Sequence, residues 1–507
     1  MEIGIVISTP EGPNQDEFSF VVDEKAGSIP ARKNQFVELS SAEGKVIAII
    51  SSVAKTNMYF ERAESVREYE RNSSMSSVFP TDRWEYIIAS ARILGVYSDG
   101  LLRRTSFPPS PGTKVSSAAS ATLTKFLGFS DSGLALGSVE YHDAPVNIDM
   151  TRLMQKHLAI LSISGGGKSH FTSCLIEELL SRAKAKPALL VIDVHGEYTG
   201  FGLAPENGEK DYSADVTVVS GSDIRIGVPN MSARTFADFI PGMSAVQQRD
   251  LDRIITSLRN KKREEGKPYN LDDLLKAIED DEAVKDNVAQ ALTAWIYELK
   301  HMHLFNHADY PPCDLIKPGK ALVLDLSDII YSKHRQVIVA YLSKKLFDLR
   351  RKGLVPPFVE IIEEAHQFIP EGAAKEYALA RNILETIARE GRKFYASLCL
   401  ISQRPVKLST TVLSQCNTHI ILRVTNPYDL KHIGESSEGI TQSTLDTISS
   451  LRVGEALIVG EAVNFPVFVK VRQRNSRKPD HSSTFEEASG SYEDTFSAKK
   501  KDARAFM

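Results

Sequence analysis

The chain has 507 residues, 42% hydrophobic and 25% charged, with a formal net charge of −4. That length exceeds one ordinary core and predicts about two to four domains, and the composition is globular rather than disordered or fibrous. No apolar run approaches bilayer length and no basic segment with a long apolar core opens the chain, which excludes a membrane-spanning class and predicts a cytoplasmic protein with no membrane partner. The slight acidity confines any nucleic-acid surface to a local patch. Cys174, Cys313, Cys399 and Cys416 lack zinc or disulfide spacing and read as reduced thiols.

Residues 1 to about 150 carry short β-rich runs: Ile3–Ile7, Phe18–Val22, Phe36–Leu39 and Val46–Ile50. Pro, Gly, Asn and Ser clusters separate them, a pattern that predicts a small barrel or sandwich. A helical patch is expected over Tyr59–Arg71, a strand pair over Tyr86–Tyr97, and a loop at Pro108, Pro109, Pro111 and Gly112. No catalytic constellation falls here, so the segment reads as a structural or partner-binding module.

Strand–helix alternation begins near residue 150 and predicts a parallel α/β sheet. The apolar run His157–Leu161 leads into Ser162-Ile163-Ser164-Gly165-Gly166-Gly167-Lys168-Ser169-His170, and a helical pattern starts at Phe171. A strand, a glycine-rich turn ending in Lys-Ser and a helix make a phosphate-binding P-loop. The consecutive glycines let backbone N–H groups turn inward onto phosphate oxygens, and the helix end adds its dipole. In that arrangement Lys168 reaches the β- and γ-phosphates and Ser169 coordinates Mg²⁺. Ser162 stands where the general pattern has its first glycine, which touches only entry into the turn.

The buried-type run Ala188–Ile192 ends in Asp193 and continues Val194-His195-Gly196-Glu197-Tyr198. Ligands gather at the carboxyl ends of parallel strands, so Asp193 either orients water or metal at the nucleotide or caps a turn. Residues 230 to about 310 are helical and charged, an expected insertion; its basic run Arg259–Arg263 reads as a solvated helix end, since acids follow at once. After Ala321–Leu326 and a helix from about His334 comes Pro357–Ile362 followed by Glu363-Glu364. An apolar strand ending in paired acids suits nucleoside triphosphate hydrolysis: Glu363 on the Mg²⁺ shell, Glu364 polarising the attacking water. Water as acceptor also argues against a small-molecule kinase.

A helix from near Tyr377 ends in Ala388-Arg389-Glu390-Gly391-Arg392-Lys393 and leads to the strand Tyr395–Ile401 and Ser402-Gln403-Arg404-Pro405. Gln403 senses the γ-phosphate or positions water. Arg389 and Arg392 stabilise transition-state charge in a neighbouring subunit's site, or are surface residues. The strand Thr418–Val424 completes the sheet, Val453–Gly460 and Pro466–Val471 form a hairpin, and the polar chain from Arg474 predicts disorder.

The P-loop preceded by Lys156-His157, the Asp193…His195-Gly196-Glu197-Tyr198 element, Glu363-Glu364-Ala365-His366, Ile387–Lys393 and Ser402–Pro405 occur in one order. Together they resemble HerA, the DNA-translocating ATPase family of the HerA–FtsK superfamily, from about Leu136 to Lys470. The resemblance implies a RecA-like core with a helical insertion and an N-terminal β-barrel. It also implies a homo-hexameric ring that uses ATP and Mg²⁺ to move double-stranded DNA, and a NurA-like nuclease partner in DNA-end resection. It places Gly165, Gly166, Gly167, Lys168, Ser169, His170, Lys156 and Arg392 at the nucleotide. Ser169 and Glu363 fall at the metal, and Lys168, Asp193, Glu364, Arg389 and Gln403 in catalysis. Lys156 stands where the family has arginine, keeping charge but losing the planar fork. Bacterial relatives also serve in anti-phage systems, which leaves a nucleotide-switched platform for an effector as the alternative. The expected domains are a barrel (1–150), a core in two parts (151–229 and 316–473) around an insertion (230–315), and a tail (474–507).

Overall fold

The structure is a computed structural model and describes residues 1–10, 12–23, 31–57, 60, 85–98, 101–206, 208–372, 377–437, 439–479, 486–487 and 489–492. The chain divides into two compact units, Met1–Asp149 with Glu455–Arg472, and Met150–Gly454 with the segment from Gln473.

The first unit begins with seven strands: β1 (Glu2–Ile7), β2 (Glu17–Val22), β3 (Phe36–Ser41), β4 (Gly44–Asn57), β5 (Glu85–Ser98), β6 (Leu101–Arg103) and β7 (Lys114–Ser117). They run β2-β1-β7-β3-β4-β5, and β5 pairs back onto β2, so six strands close a barrel with β6 attached to β5. Closure removes the open edges that an antiparallel sheet would expose. Alternating residues such as Phe18, Phe20, Val37, Leu39, Val46, Ala48, Ala89 and Ala91 fill the interior. Gly4 is required where β1 meets β2, since a Cβ there would lie 2.2 Å from the Val21 carbonyl oxygen. One 14-residue strand, β5, replaces the expected strand pair over Tyr86–Tyr97, because it pairs with β4 along its whole length through two register shifts. The helix expected over Tyr59–Arg71 lies outside the described residues. Two further strands, β8 (Leu134–Val139) and β9 (Pro145–Ile148), follow.

The second unit holds β10 (Leu158–Leu161), β11 (Ala188–Asp193), β12 (Val216–Ser220), the short pair β13 (Ile226–Gly227) and β14 (Phe305–Asn306), β15 (Ala321–Asp325), β16 (Phe358–Ile362), β17 (Ala396–Ser402) and β18 (Thr418–Ile421). Its seven-stranded run, β12-β15-β11-β16-β17-β10-β18, is parallel throughout. Burial on both faces explains why these strands read as continuous apolar runs. Four helices lie between β13 and β14: Ala233–Phe239, Ala245–Glu264, Leu271–Glu279 and Asp286–Lys300. Reciprocal capping boxes start two of them, Ser244 with Gln247 and Asn270 with Asp273. The helix expected from Tyr377 begins at Arg381.

The hairpin β19 (Glu455–Gly460) and β20 (Val467–Val471), expected in the core, instead belongs to the first unit. There β20 pairs with β8, and Gly137 lets the Lys470 carbonyl pass where a Cβ would lie 2.0 Å away. The start of the expected disordered tail is anchored. Glu177, buried on the helix after the P-loop, accepts hydrogen bonds from the Asn475 N–H (2.8 Å), the Ser476 N–H (2.7 Å) and the Ser476 hydroxyl (2.7 Å). A buried carboxylate needs such donors, and the polar composition of the segment supplies them.

Inside the sheet, Glu360 on β16 is fully buried; its Oε1 accepts from the Ser343 hydroxyl at 2.5 Å and its Oε2 has no partner. Burial raises its pKa to about 7. A carboxyl raised above its unfolded value binds more protons when folded, so stability falls as pH climbs from about 4.5 to about 7. Glu360→Gln, which keeps an acceptor for Ser343, is expected to melt higher than the parent at pH 8. The gap between its melting temperatures at pH 5 and pH 8 should also shrink; a variant with the parent's gap would mean that Glu360 does not titrate in this range.

Candidate active site

The carboxyl ends of β11, β16, β17 and β10 stand side by side, and each carries a sequence motif into the same region. From β10 the chain enters the P-loop. Gly165 (φ 72°) and Gly167 (φ 96°) take left-handed backbone conformations open to glycine, and Gly167 caps the P-loop helix Lys168–Ser181. Ser162 is accommodated by Gly166. Its buried hydroxyl donates to the Ile163 carbonyl at 2.9 Å and occupies the space that a Cβ on residue 166 would enter, 2.1 Å away. The departure from the glycine pattern is thus compensated inside the loop. Ser169 and His170 occupy the first turn of the P-loop helix.

Lys168 is buried, with its Nζ 3.6 Å from Glu364 Oε1 and 3.9 Å from Glu197 Oε1. From β16, Glu363 Oε2 accepts the Val194 and His195 N–H groups at 2.9 and 3.1 Å. Glu363 Oε1 and both oxygens of Glu364 are buried without a hydrogen-bond partner. Glu364 also has a left-handed backbone (φ 50°), uncommon for a residue with a side chain and characteristic of functional sites. Gln403 follows β17, between the motifs of β16 and β10.

Burial, reinforced by the facing carboxylates of Asp193 and Glu197, pushes the Glu363 pKa up to about 9 against the opposing charge of Lys168. Burial likewise raises Asp193 to about 6. Ligand atoms of His195, Glu363 and Glu364 lie within 4.8 Å of one another. Buried carboxylate oxygens without hydrogen-bond partners are a donor set that fits a hard divalent cation such as Mg²⁺. Held by Glu363 and the Ser169 hydroxyl, the ion would supply charge neutralisation at the phosphates.

Asp193 has the geometry of the turn-capping reading: Oδ1 accepts the Glu197 N–H at 3.0 Å and Oδ2 the Tyr198 N–H at 2.8 Å, which shapes the turn after β11. Glu197 on that turn approaches Lys168 instead. Lys156 precedes β10, and Arg389 and Arg392 lie on the last turns of the helix Arg381–Phe394, which leads into the start of β17. All three therefore belong to the amino end of the sheet, separated from their own P-loop by β10, roughly 13 Å at the usual strand rise. Buried His157 ties this end together: its Nε2 bonds the Ala388 carbonyl and its Nδ1 accepts the Leu398 N–H, both at 2.9 Å. Burial lowers its pKa to about 4, so the ring is neutral.

Sequence reasoning assigned no role to His195, Glu197 or His366, although all three lie inside quoted motifs. The usable signal was polar residues directly after strand ends. Arg335 in the helix Ser332–Arg351 carried no signal; its Nε is buried without a partner, and its charge interacts with Glu363.

The parallel sheet, the phosphate cradle and the paired acids define a RecA-like P-loop ATPase, an ATP-hydrolysing enzyme. A profile described as the helicase HerA central domain matches residues 134–346. A probable helicase of Methanocaldococcus jannaschii is 28% identical over 493 residues, 91% of this chain and 89% of its own. The DNA double-strand break repair helicase HerA of Pyrococcus furiosus is 27% identical over 444 residues, 76% of this chain and 78% of its own. VirB4 of Thermoanaerobacter pseudethanolicus shares the fold, with a TM-score of 0.52 at 13% identity over 68% of this chain and 97% of that one. Residues 134–346 are thus similar to the central domain of the HerA helicases, and most of the chain is similar to helicases of that name. No helix among the described residues is long and apolar enough to cross a membrane.

Glu363→Gln is expected to raise the Mg²⁺ concentration needed for half-maximal ATP turnover by about tenfold, the order of effect for a metal-site partner. A Mg²⁺ titration of phosphate release measures it; an unshifted midpoint would take Glu363 off the metal.

Proposed function

We propose that this protein is a ring-forming motor, a homo-hexamer that hydrolyses ATP with Mg²⁺ to translocate along double-stranded DNA and serves a NurA-like nuclease in DNA-end resection. The observation that carries the reading is the separation of the site's parts. The phosphate cradle and glutamates stand at one end of the sheet, while exposed Arg389 and Arg392 stand at the other, out of reach of their own P-loop. A second copy docked head to tail would bring these arginines to the nucleotide, and heterologous contacts of that kind close into rings. The names of the relatives, a probable helicase and a break-repair helicase, support DNA as the track.

In this reading Lys168 and the P-loop N–H groups hold the triphosphate, and Gln403 lines the γ-phosphate. Glu364 accepts a proton from the attacking water, and the neighbour's Arg389, with Lys156 and Arg392 close by, meets the charge that develops on the transferring phosphoryl group. An isolated subunit is then a poor ATPase.

Duplex DNA at low salt should stimulate ATP turnover, and Lys168→Ala and Glu364→Gln should each abolish it, Glu364→Gln by roughly 10²–10⁴-fold. Turnover indifferent to DNA would sink the motor reading. Subunits carrying Glu364→Gln alone or Arg389→Ala alone should be inactive, yet a mixture should recover measurable turnover, because some interfaces then pair an intact glutamate with an intact arginine. Failure of the mixture to recover would remove the arginine from the neighbour's site.

A further inference from the structure

The catalytic carboxylate is joined to an exposed basic loop by two side chains. His366, in the 3₁₀ turn Ala365–Gln367 after Glu364, has its Nδ1 3.2 Å from Glu364 Oε2 and 3.2 Å from Ser402 Oγ. Ser402, the last residue of β17, is fully buried and bonded on two further sides. Its carbonyl accepts the Ser162 N–H at the root of the P-loop (3.2 Å), and its hydroxyl accepts the Arg404 N–H (3.0 Å). His366 is mostly buried, and burial together with the charges of Arg404 and Lys407 lowers its pKa to about 4. Its Nδ1 is hydrogen-bonded to Ser402 and lies beside Glu364 Oε2 without a hydrogen bond to it.

The loop at the outer end is held firmly. The Val406 N–H donates to buried Asp429 at 3.0 Å, the Glu371 N–H donates to the Lys407 carbonyl at 2.9 Å, and Pro370 bridges Leu408. On this anchored turn Arg404 and Lys407 are exposed, and neither side chain has an ion-pair partner among the described residues. Two unpaired cations on a fixed, solvent-facing turn suit a phosphate arriving from solution. The nucleotide's phosphates are served by Lys168, whose side chain is only 8% exposed.

We propose that Arg404 and Lys407 bind a backbone phosphate of duplex DNA, and that Ser402 and His366 transmit its arrival to Glu364. The inference rests on the DNA reading above. A phosphate on the loop neutralises the charge facing His366 and draws on the Arg404 N–H bonded to Ser402. A small turn of the imidazole then trades the Ser402 hydroxyl for Glu364 Oε2, fixing a carboxylate whose oxygens are otherwise without partners. His366 is thus a positioning residue, and it makes hydrolysis respond to the track.

The experiment uses the full chain with a fluorescent duplex, reading anisotropy over a salt series and phosphate release with and without DNA. Arg404→Gln with Lys407→Gln should lower the slope of log affinity against log salt by about 1, with stimulation by DNA falling about tenfold. His366→Ala should bind duplex with the parent's slope yet lose stimulation, and His366→Asn, whose amide can stand in for Nδ1, should restore part of it. A double variant with the parent's slope overturns the DNA contact. Weakened binding of a fluorescent ADP with the duplex slope unchanged overturns it equally, by giving the two cations to the nucleotide. Full stimulation in His366→Ala overturns the relay. If the parent itself ignores duplex, the DNA reading fails and this inference with it; a responsive parent with unchanged variants removes this inference alone.

Discussion

The ATPase unit depends on an imbalance of charge at the carboxyl edge of its sheet. Asp193, Glu363 and Glu364 are all withdrawn from solvent, while Lys168 is the buried cation facing them. Buried carboxylates are costly unless paired or protonated, and here the folded chain leaves several of their oxygens without donors. Such a site calls for a divalent cation and a polyphosphate, and its strain is carried by a rigid scaffold. Strands bonded on both sides hold the acids, and Glu364 follows the second of them in a left-handed backbone conformation.

The same scaffold separates duties between its two ends. The carboxyl end carries the P-loop and the paired acids. The amino end, knitted by neutral His157 between the Ala388 carbonyl and the Leu398 N–H, presents Arg389 and Arg392 outward. A parallel sheet makes this separation unavoidable, because every strand ends on the nucleotide side and every returning helix delivers its last turn to the other. On the proposed reading hydrolysis takes place between copies, and the loop Gln403–Lys407 is the path by which DNA would influence it.

Much of this was legible in the sequence, for local reasons. The P-loop is contiguous, and its glycines, lysine and serine carry their geometry with them. The buried parallel strands read as apolar runs because both their faces are covered, and the paired glutamates followed one of those runs. Other features were hidden because neighbours in space are distant in the chain. Gly166 accommodates Ser162, but this appears only once the loop is curled. The hairpin after Gly454 joins the first unit because β8, more than three hundred residues earlier, offers its edge.

The amino-acid sequence by itself determined that this chain folds into a nucleotide-binding α/β unit with a β-rich module before it, since glycine freedom, apolar runs and turn residues act over a few positions. Tertiary structure alone decided which acids approach Lys168. Asp193 and Glu197 lie four residues apart, yet the turn consumes both oxygens of the first and frees the second to approach Lys168. It alone placed the arginines beyond reach of their own site and set His366 between Glu364 and Ser402. These outcomes depend on distances between strand ends, and strand order, fixed by the packing of the whole sheet, has no local signature.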